Sequence, residues 1–230
     1  MGRIDEHRGA LRRRDRWLDY LSQHSGLPGP RGNLELVAAC GEEADLTRAE
    51  ELIATDDEFA VVCGLVALGR LLGEGDGGQE RVLHARASDP RWRVREGVAM
   101  ALQRAGDVDR ERVFGIAERW ALDPDPLVRR AAVAAVCEPR LLRTESCSMR
   151  SLALVDRVTA HLSTLPAAVR RDPGVRTLRQ ALGYAWSVAV AAYPTMGLPA
   201  FAELRGCDDV DVQWIVRENL KKSRLQRLLN

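Results

Sequence analysis

Lysine is almost missing from this chain. Of 34 Lys and Arg residues only Lys221 and Lys222 are lysines, and aromatic residues make up just 5% of the sequence. Runs of β-branched residues are absent, and nowhere does alternation of period two persist long enough for a strand. No stretch of about 18 uncharged apolar residues occurs, so no membrane-spanning helix is expected. The opening MGRIDEHRGALRRRDRW lacks the apolar core of a secretory signal. His7, His24, His84 and His161 are isolated, without the paired spacing that holds a metal. Cys40, Cys63, Cys137, Cys147 and Cys207 are odd in number, scattered and never in a CxxC pair, so neither a zinc site nor a disulfide framework is indicated. Buried thiols in a reducing cytoplasm are the default. GxGxxG, GxxxxGK[ST] and GxSxG are all absent. The Gly-rich stretch 74–78 (EGDGG) follows no strand and reads as a loop. No cofactor and no metal are expected.

What is present is a sequence said twice. SDPRWRVREGVAMAL (88–102) is followed 34 positions later by LDPDPLVRRAAVAAV (122–136). Each copy has an Asp-Pro entry, a Val-Arg pair and a helix of Ala, Val and Leu. Self-similarity at that period marks a helical repeat array. Weaker copies lie at 53–68, 172–186 and 207–222. Anchored on Val61, Val94, Val128, Leu178 and Val216, the intervals are 33, 34, 50 and 38. The long one must hold an extra helix or a long loop between 140 and 172. The spacing predicts helices over 5–23, 34–40, 46–54, 59–72, 80–87, 91–104, 110–121, 127–136, 152–165, 175–192, 198–204 and 212–229. The composition, rich in Ala, Leu, Val and Arg, favours helix throughout.

The net charge of +1 hides a segregation: residues 1–31 carry +3, 32–90 carry −9, 91–150 carry +3 and 151–230 carry +4. A basic portion can meet nucleic acid or an acidic protein, although an Arg-rich chain also arises from genomic base composition and solvated faces. The Asp-Pro pairs at 89, 123 and 172 have a structural mechanism: Asp accepts from the free amides of a helix start, and Pro fits the first turn. Arg95, Arg129 and Arg217 then read as ladder residues reaching the Asp of a neighbouring repeat. The other reading sets them on a concave face as phosphate contacts. Trp92, Trp120, Trp186 and Trp214 fall at helix or repeat junctions, where Trp packs between repeats. Tyr184 and Trp186 are two apart, so they face different sides of one helix, and at least one of them is expected near the surface.

Asp89-Pro90…Val94-Arg95…Ala99…Leu102 and Asp123-Pro124…Val128-Arg129…Ala132…Val136 resemble HEAT repeats, clearly over 56–137 and fairly over 172–222. The fold expected is all-α, a right-handed α-solenoid of HEAT-like helical pairs. It forms one domain over 1–230, with a divergent cap at 1–50 and C-terminal repeats and cap at 172–230. ERWALDPDPLVRRAAVAAVCEPRLL (118–142) and the late Trp214-Ile215-Val216-Arg217 resemble the HEAT-like alkylpurine DNA glycosylases, a bacterial family that repairs alkylated bases. That resemblance implies an Arg-rich DNA cleft with aromatic side chains and a carboxylate beside the damaged nucleotide. The matching positions are Trp120, Asp123 or Asp125, Arg129, Arg130 and Trp186. The leading expectation is a cytoplasmic, non-enzymatic, monomeric binding module for nucleic acid or an acidic protein segment. Its basic surface comprises Arg91, Arg93, Arg95, Arg129, Arg130, Arg140, Arg143, Arg179, Arg217, Lys221 and Lys222. The alternatives are a glycosylase-like enzyme and a protein–protein adaptor.

Overall fold

The computed structural model describes residues 2–29, 31–75 and 77–229. All regular structure among them is helical. The chain divides into two compact units, Met1–Arg112 and Val113–Asn230.

The first unit holds α1 (Arg3–Arg12), α2 (Leu18–His24), α3 (Leu34–Glu43), α4 (Leu46–Ile53), α5 (Glu58–Gly73), α6 (Gln79–Arg86) and α7 (Trp92–Val108). Side chains cap the starts of α3, α4 and α5: Asn33 accepts from the Leu36 amide, Asp45 from Arg48 and Asp57 from Ala60. Helix α5 is apolar on all sides and buries every residue from Phe59 to Gly69. It packs on α3, α4 and α7, with α2 and α6 alongside. Glycine permits the closest approach: a Cβ on Gly69 would lie 2.1 Å from the Ala101 carbonyl oxygen of α7. The expected helix over 5–23 is broken in two. Trp17 turns into the core and donates Nε1 to the Leu11 carbonyl at 3.2 Å, which ends α1 and starts α2. The loop expected at 74–78 closes α5 with Gly75 at φ 119°, a left-handed geometry that glycine adopts without strain; Asp76 within it lies outside the described residues.

Helix α8 (Arg110–Trp120) leads into the second unit, which continues with α9 (Pro126–Val136), a 3₁₀ turn Pro139–Leu141, α10 (Glu145–Thr164), a second 3₁₀ turn Val169–Arg171, α11 (Pro173–Ala192), α12 (Pro194–Arg205), α13 (Val210–Leu220) and α14 (Ser223–Leu229). Helix α11 is the centre: α9 and α13 flank it in one row, and α10 and α12 back it. The long interval between repeats is taken up by a 20-residue α10 and the two short turns. This helix begins seven residues before the apolar pattern suggests, because buried serines disguise it. Ser148 bonds the Leu142 carbonyl at 3.1 Å and Ser151 the Val136 carbonyl at 3.2 Å. The helix expected over 212–229 is also two, parted at Lys221 and Lys222.

Val61, Val94, Val128, Leu178 and Val216 are all buried, at 4% exposure or less. They sit in α5, α7, α9, α11 and α13, the second helices of successive pairs, which stack on one another within each unit. Burial of each anchor contributes about 1.5–3 kcal/mol.

Candidate anion-binding face

Charge segregated along the sequence is paired in space. In the first unit, Arg8 and Arg12 of α1 both grip Glu43 of α3 at 2.6 Å. Their bonds hold that carboxyl below its ordinary value against the opposing effect of burial. Arg93 reaches Glu58 at 3.0 Å, and Arg104 pairs with Glu42. The acidic stretch 32–90 is thus matched by arginines from both sides of it in sequence.

This pairing uses the first-unit members of the expected basic surface. Arg91 chelates Asp89 through two bonds of 2.9 Å, and Arg86 adds a third contact at 3.3 Å. Hydrogen bonds from Arg91 outweigh burial and carry the Asp89 carboxyl down to about 2. Arg95 donates to the Asp89 and Pro90 carbonyls at 2.7 and 3.0 Å. Asp89 itself turns inward onto the Arg91 amide and leaves α7 without a side-chain cap. Asp123 likewise accepts from Asp125, and the cap of α9 passes to Asp125, with Pro126 in the first turn. Of the pairs at 89, 123 and 172, Asp172-Pro173 caps its helix as expected, accepting from Gly174 and Val175.

In the second unit Arg129 is a core residue, 9% exposed, with Nε on the Asp123 carbonyl. Burial pulls its pKa down. Arg129 and Arg95 therefore each hold the turn that precedes their own helix. Arg140 pairs with Glu138 at 3.2 Å and Lys221 with Glu218 at 2.5 Å. Arg130 is partly exposed, and Arg143 and Arg217 are exposed.

The residues implied by the glycosylase resemblance do not form an open site. Trp120 is 3% exposed and Trp186 fully buried, its Nε1 donating to Thr159 Oγ1 at 2.9 Å. Neither ring can stack on a base, and both Asp123 and Asp125 accept from turn amides. Trp92, expected between repeats, is 52% exposed, because it occupies the outward position at the start of α7.

A different set of arginines converges. The sequence VRRDPGVRTLR (169–179) carries Arg170 and Arg171 on the 3₁₀ turn and Arg176 and Arg179 on the first turns of α11. They line a groove of about 660 Å³ with Gln180, Val210 and Asp211. Asp211 at the start of α13 is buried and accepts from Arg170 at 3.3 Å and from Arg179. Asp209 takes Arg170 at 2.5 Å. Burial would raise the Asp209 carboxyl, but Arg170 and the amides of Val212 and Asp211 together hold it below its ordinary value. Arg171 and Arg176 are exposed and make no side-chain hydrogen bond or ion pair to any described residue. Arg179 has a buried Nε without a partner and lies 4.6 Å over the Trp214 ring.

Of this groove, only Arg179 was expected. The Val-Arg register of the repeat points past Arg170, Arg171 and Arg176. The available signal was local density, four arginines within ten residues on either side of Asp172-Pro173-Gly174.

Among the described residues no group of three or more His, Cys, Asp or Glu side chains could hold a metal ion, and no helix is long and apolar enough to cross a membrane. No family model matches the chain, and no curated protein does. Two solved structures, both described as engineered proteins, are similar to it over 99% of this chain and 98% and 99% of theirs, at 15% identity, with TM-scores of 0.40 and 0.42. That likeness lies below the level at which a shared fold or function could be read from it.

Proposed function

We propose that this chain is a non-enzymatic, cytoplasmic helical-repeat module of HEAT-like character that binds nucleic acid through the arginine-lined face of residues 113–230. That unit carries 17 Arg and Lys against 12 acids. One observation carries the reading. In the groove at the start of α11 the two carboxylates are already engaged by Arg170 and Arg179, which leaves Arg171 and Arg176 for an incoming anion. Guanidinium groups suit this task because they stay charged and can grip a phosphate with two parallel bonds. Asp211 orients Arg179, and so acts as a positioning group within the site.

The test is a titration of labelled DNA at two ionic strengths. Binding that weakens with salt, by about 0.9 in log affinity per log salt for each phosphate neutralised, supports the reading. Arg171→Ala and Arg176→Ala should each weaken binding and lower the salt slope by about 1. Absence of binding at low salt overturns the proposal.

A further inference from the structure

Along the exposed face of α11, Arg176, Gln180 and Tyr184 follow one another at i, i+4 and i+8, so they form a single stripe roughly 12 Å long. Tyr184 is 44% exposed. The Arg224 guanidinium stands 4.8 Å from its ring centre and donates to its hydroxyl at 2.5 Å, and the Lys222 ammonium lies 5.6 Å from the same ring. Beside it, Trp214 of α13 crosses α11 at Gly183, where a Cβ would meet the indole at 2.9 Å. Arg179 covers that indole. Cations and aromatic rings therefore alternate across α11, α13 and the start of α14, beginning at the arginine groove. Trp214 is explained by packing: its ring is wedged between Arg179 and Gly183. The Tyr184 ring rests against Arg224 and Lys222 yet stays 44% exposed, and a site that meets phosphates alone needs no aromatic surface.

We infer that the ligand of this face is single-stranded nucleic acid, with phosphates held at Arg171, Arg176, Lys222 and Arg224 and a base stacked at Tyr184. The inference rests on the nucleic-acid reading above and narrows it. A duplex keeps its base faces inside its own stack and presents phosphates, sugars and groove edges. A single strand presents base faces that an exposed ring can cover, whatever the sequence. Tyr184 is held in orientation by Arg224, so little side-chain freedom is left to lose on binding.

The experiment is fluorescence anisotropy with labelled oligo-dT of about 15 nucleotides, a hairpin duplex of similar charge, and poly-glutamate as competitor. The proteins are wild type, Tyr184→Ala, Tyr184→Phe and Arg176→Ala, each checked for an unchanged thermal transition. The expected result is tighter binding of oligo-dT than of duplex. Tyr184→Ala should weaken oligo-dT about tenfold while changing duplex affinity less than about twofold, and Tyr184→Phe, which keeps the ring, should retain most of the affinity. If wild type prefers duplex, or Tyr184→Ala binds oligo-dT as wild type does, the single-strand inference is overturned and the nucleic-acid reading stands. If neither oligonucleotide binds at low salt, both fail. Poly-glutamate binding as tight as oligo-dT would overturn both in favour of an acidic protein segment.

Discussion

Arg129 donates Nε to the main-chain carbonyl of Asp123, and 34 positions earlier Arg95 makes the corresponding bond to Asp89. The strongest repeated feature of the sequence is thus a clasp that closes each helical pair on itself. The arginine satisfies a carbonyl at a turn where no helix amide is available to do so. The recurrence of this Arg reflects folding, and the arginines proposed to meet an anion, Arg171 and Arg176, stand elsewhere.

Arg129→Ala should therefore act on stability and not on ligand affinity. Removing the donor leaves the Asp123 carbonyl short of a partner, at a cost of about 1–3 kcal/mol. Urea unfolding would show the loss, and a DNA titration should show no change in salt slope. A drop in affinity with unchanged stability would assign Arg129 to the ligand instead.

Val128→Asp buries a charge with no partner, in a side-chain position that is 1% exposed. The expected loss is about 3–5 kcal/mol. A thermal transition at the wild-type temperature would mean that the repeat register is misplaced.

Gly69→Val should separate α5 from α7. The added side chain would start 2.1 Å from the Ala101 carbonyl oxygen, backbone that cannot move without shifting the helix. A loss of about 1–3 kcal/mol or more is expected. Circular dichroism during thermal unfolding would report it, and Gly115→Ala, beside only the Arg119 side chain at 3.7 Å, serves as the mild control.

Asp89 makes stability depend on acidity. Its carboxyl sits at about 2 in the folded chain against an ordinary 3.8. A depressed folded value means that the ionised form stabilises the fold. That contribution, on the order of 2 kcal/mol, is complete above about pH 4 and is lost as pH falls towards 2. Asp89→Asn should lower stability at neutral pH and remove this portion of the acid sensitivity. Denaturant midpoints of both proteins between pH 6 and about 2.5 would decide; parallel curves would exclude Asp89 as the source.

Release of alkylated bases gives a separate check on the glycosylase resemblance. With Trp120 and Trp186 in the core, alkylated DNA incubated with the protein should yield no 7-methylguanine or 3-methyladenine above background. Release that Trp120→Ala abolishes would show that Trp120 leaves the core during turnover.

The sequence by itself determined the class of structure and the identity of the packing residues. Val61, Val94, Val128, Leu178 and Val216 recur because a helix face that meets a neighbour must be apolar at each turn, and periodicity alone reveals that. It was less informative wherever polar groups enter the core or a side chain breaks a helix. Ser148 and Ser151 hid the start of α10, and Trp17 split the first helix by claiming a carbonyl. The arginines could not be sorted from sequence at all. Arg91, Arg93, Arg95 and Arg129 look in one dimension like Arg171 and Arg176, and what separates them is whether a carboxylate or carbonyl lies within hydrogen-bond reach. For Arg91, Arg95 and Arg129 the partner lies two or six residues away in the preceding turn, whereas Glu58 for Arg93 and Asp211 for Arg179 are 35 and 32 residues distant along the chain. Only the tertiary structure brings these distant pairs together, because electrostatic pairing depends on distance in space, and the folding of helical pairs onto one another sets that distance.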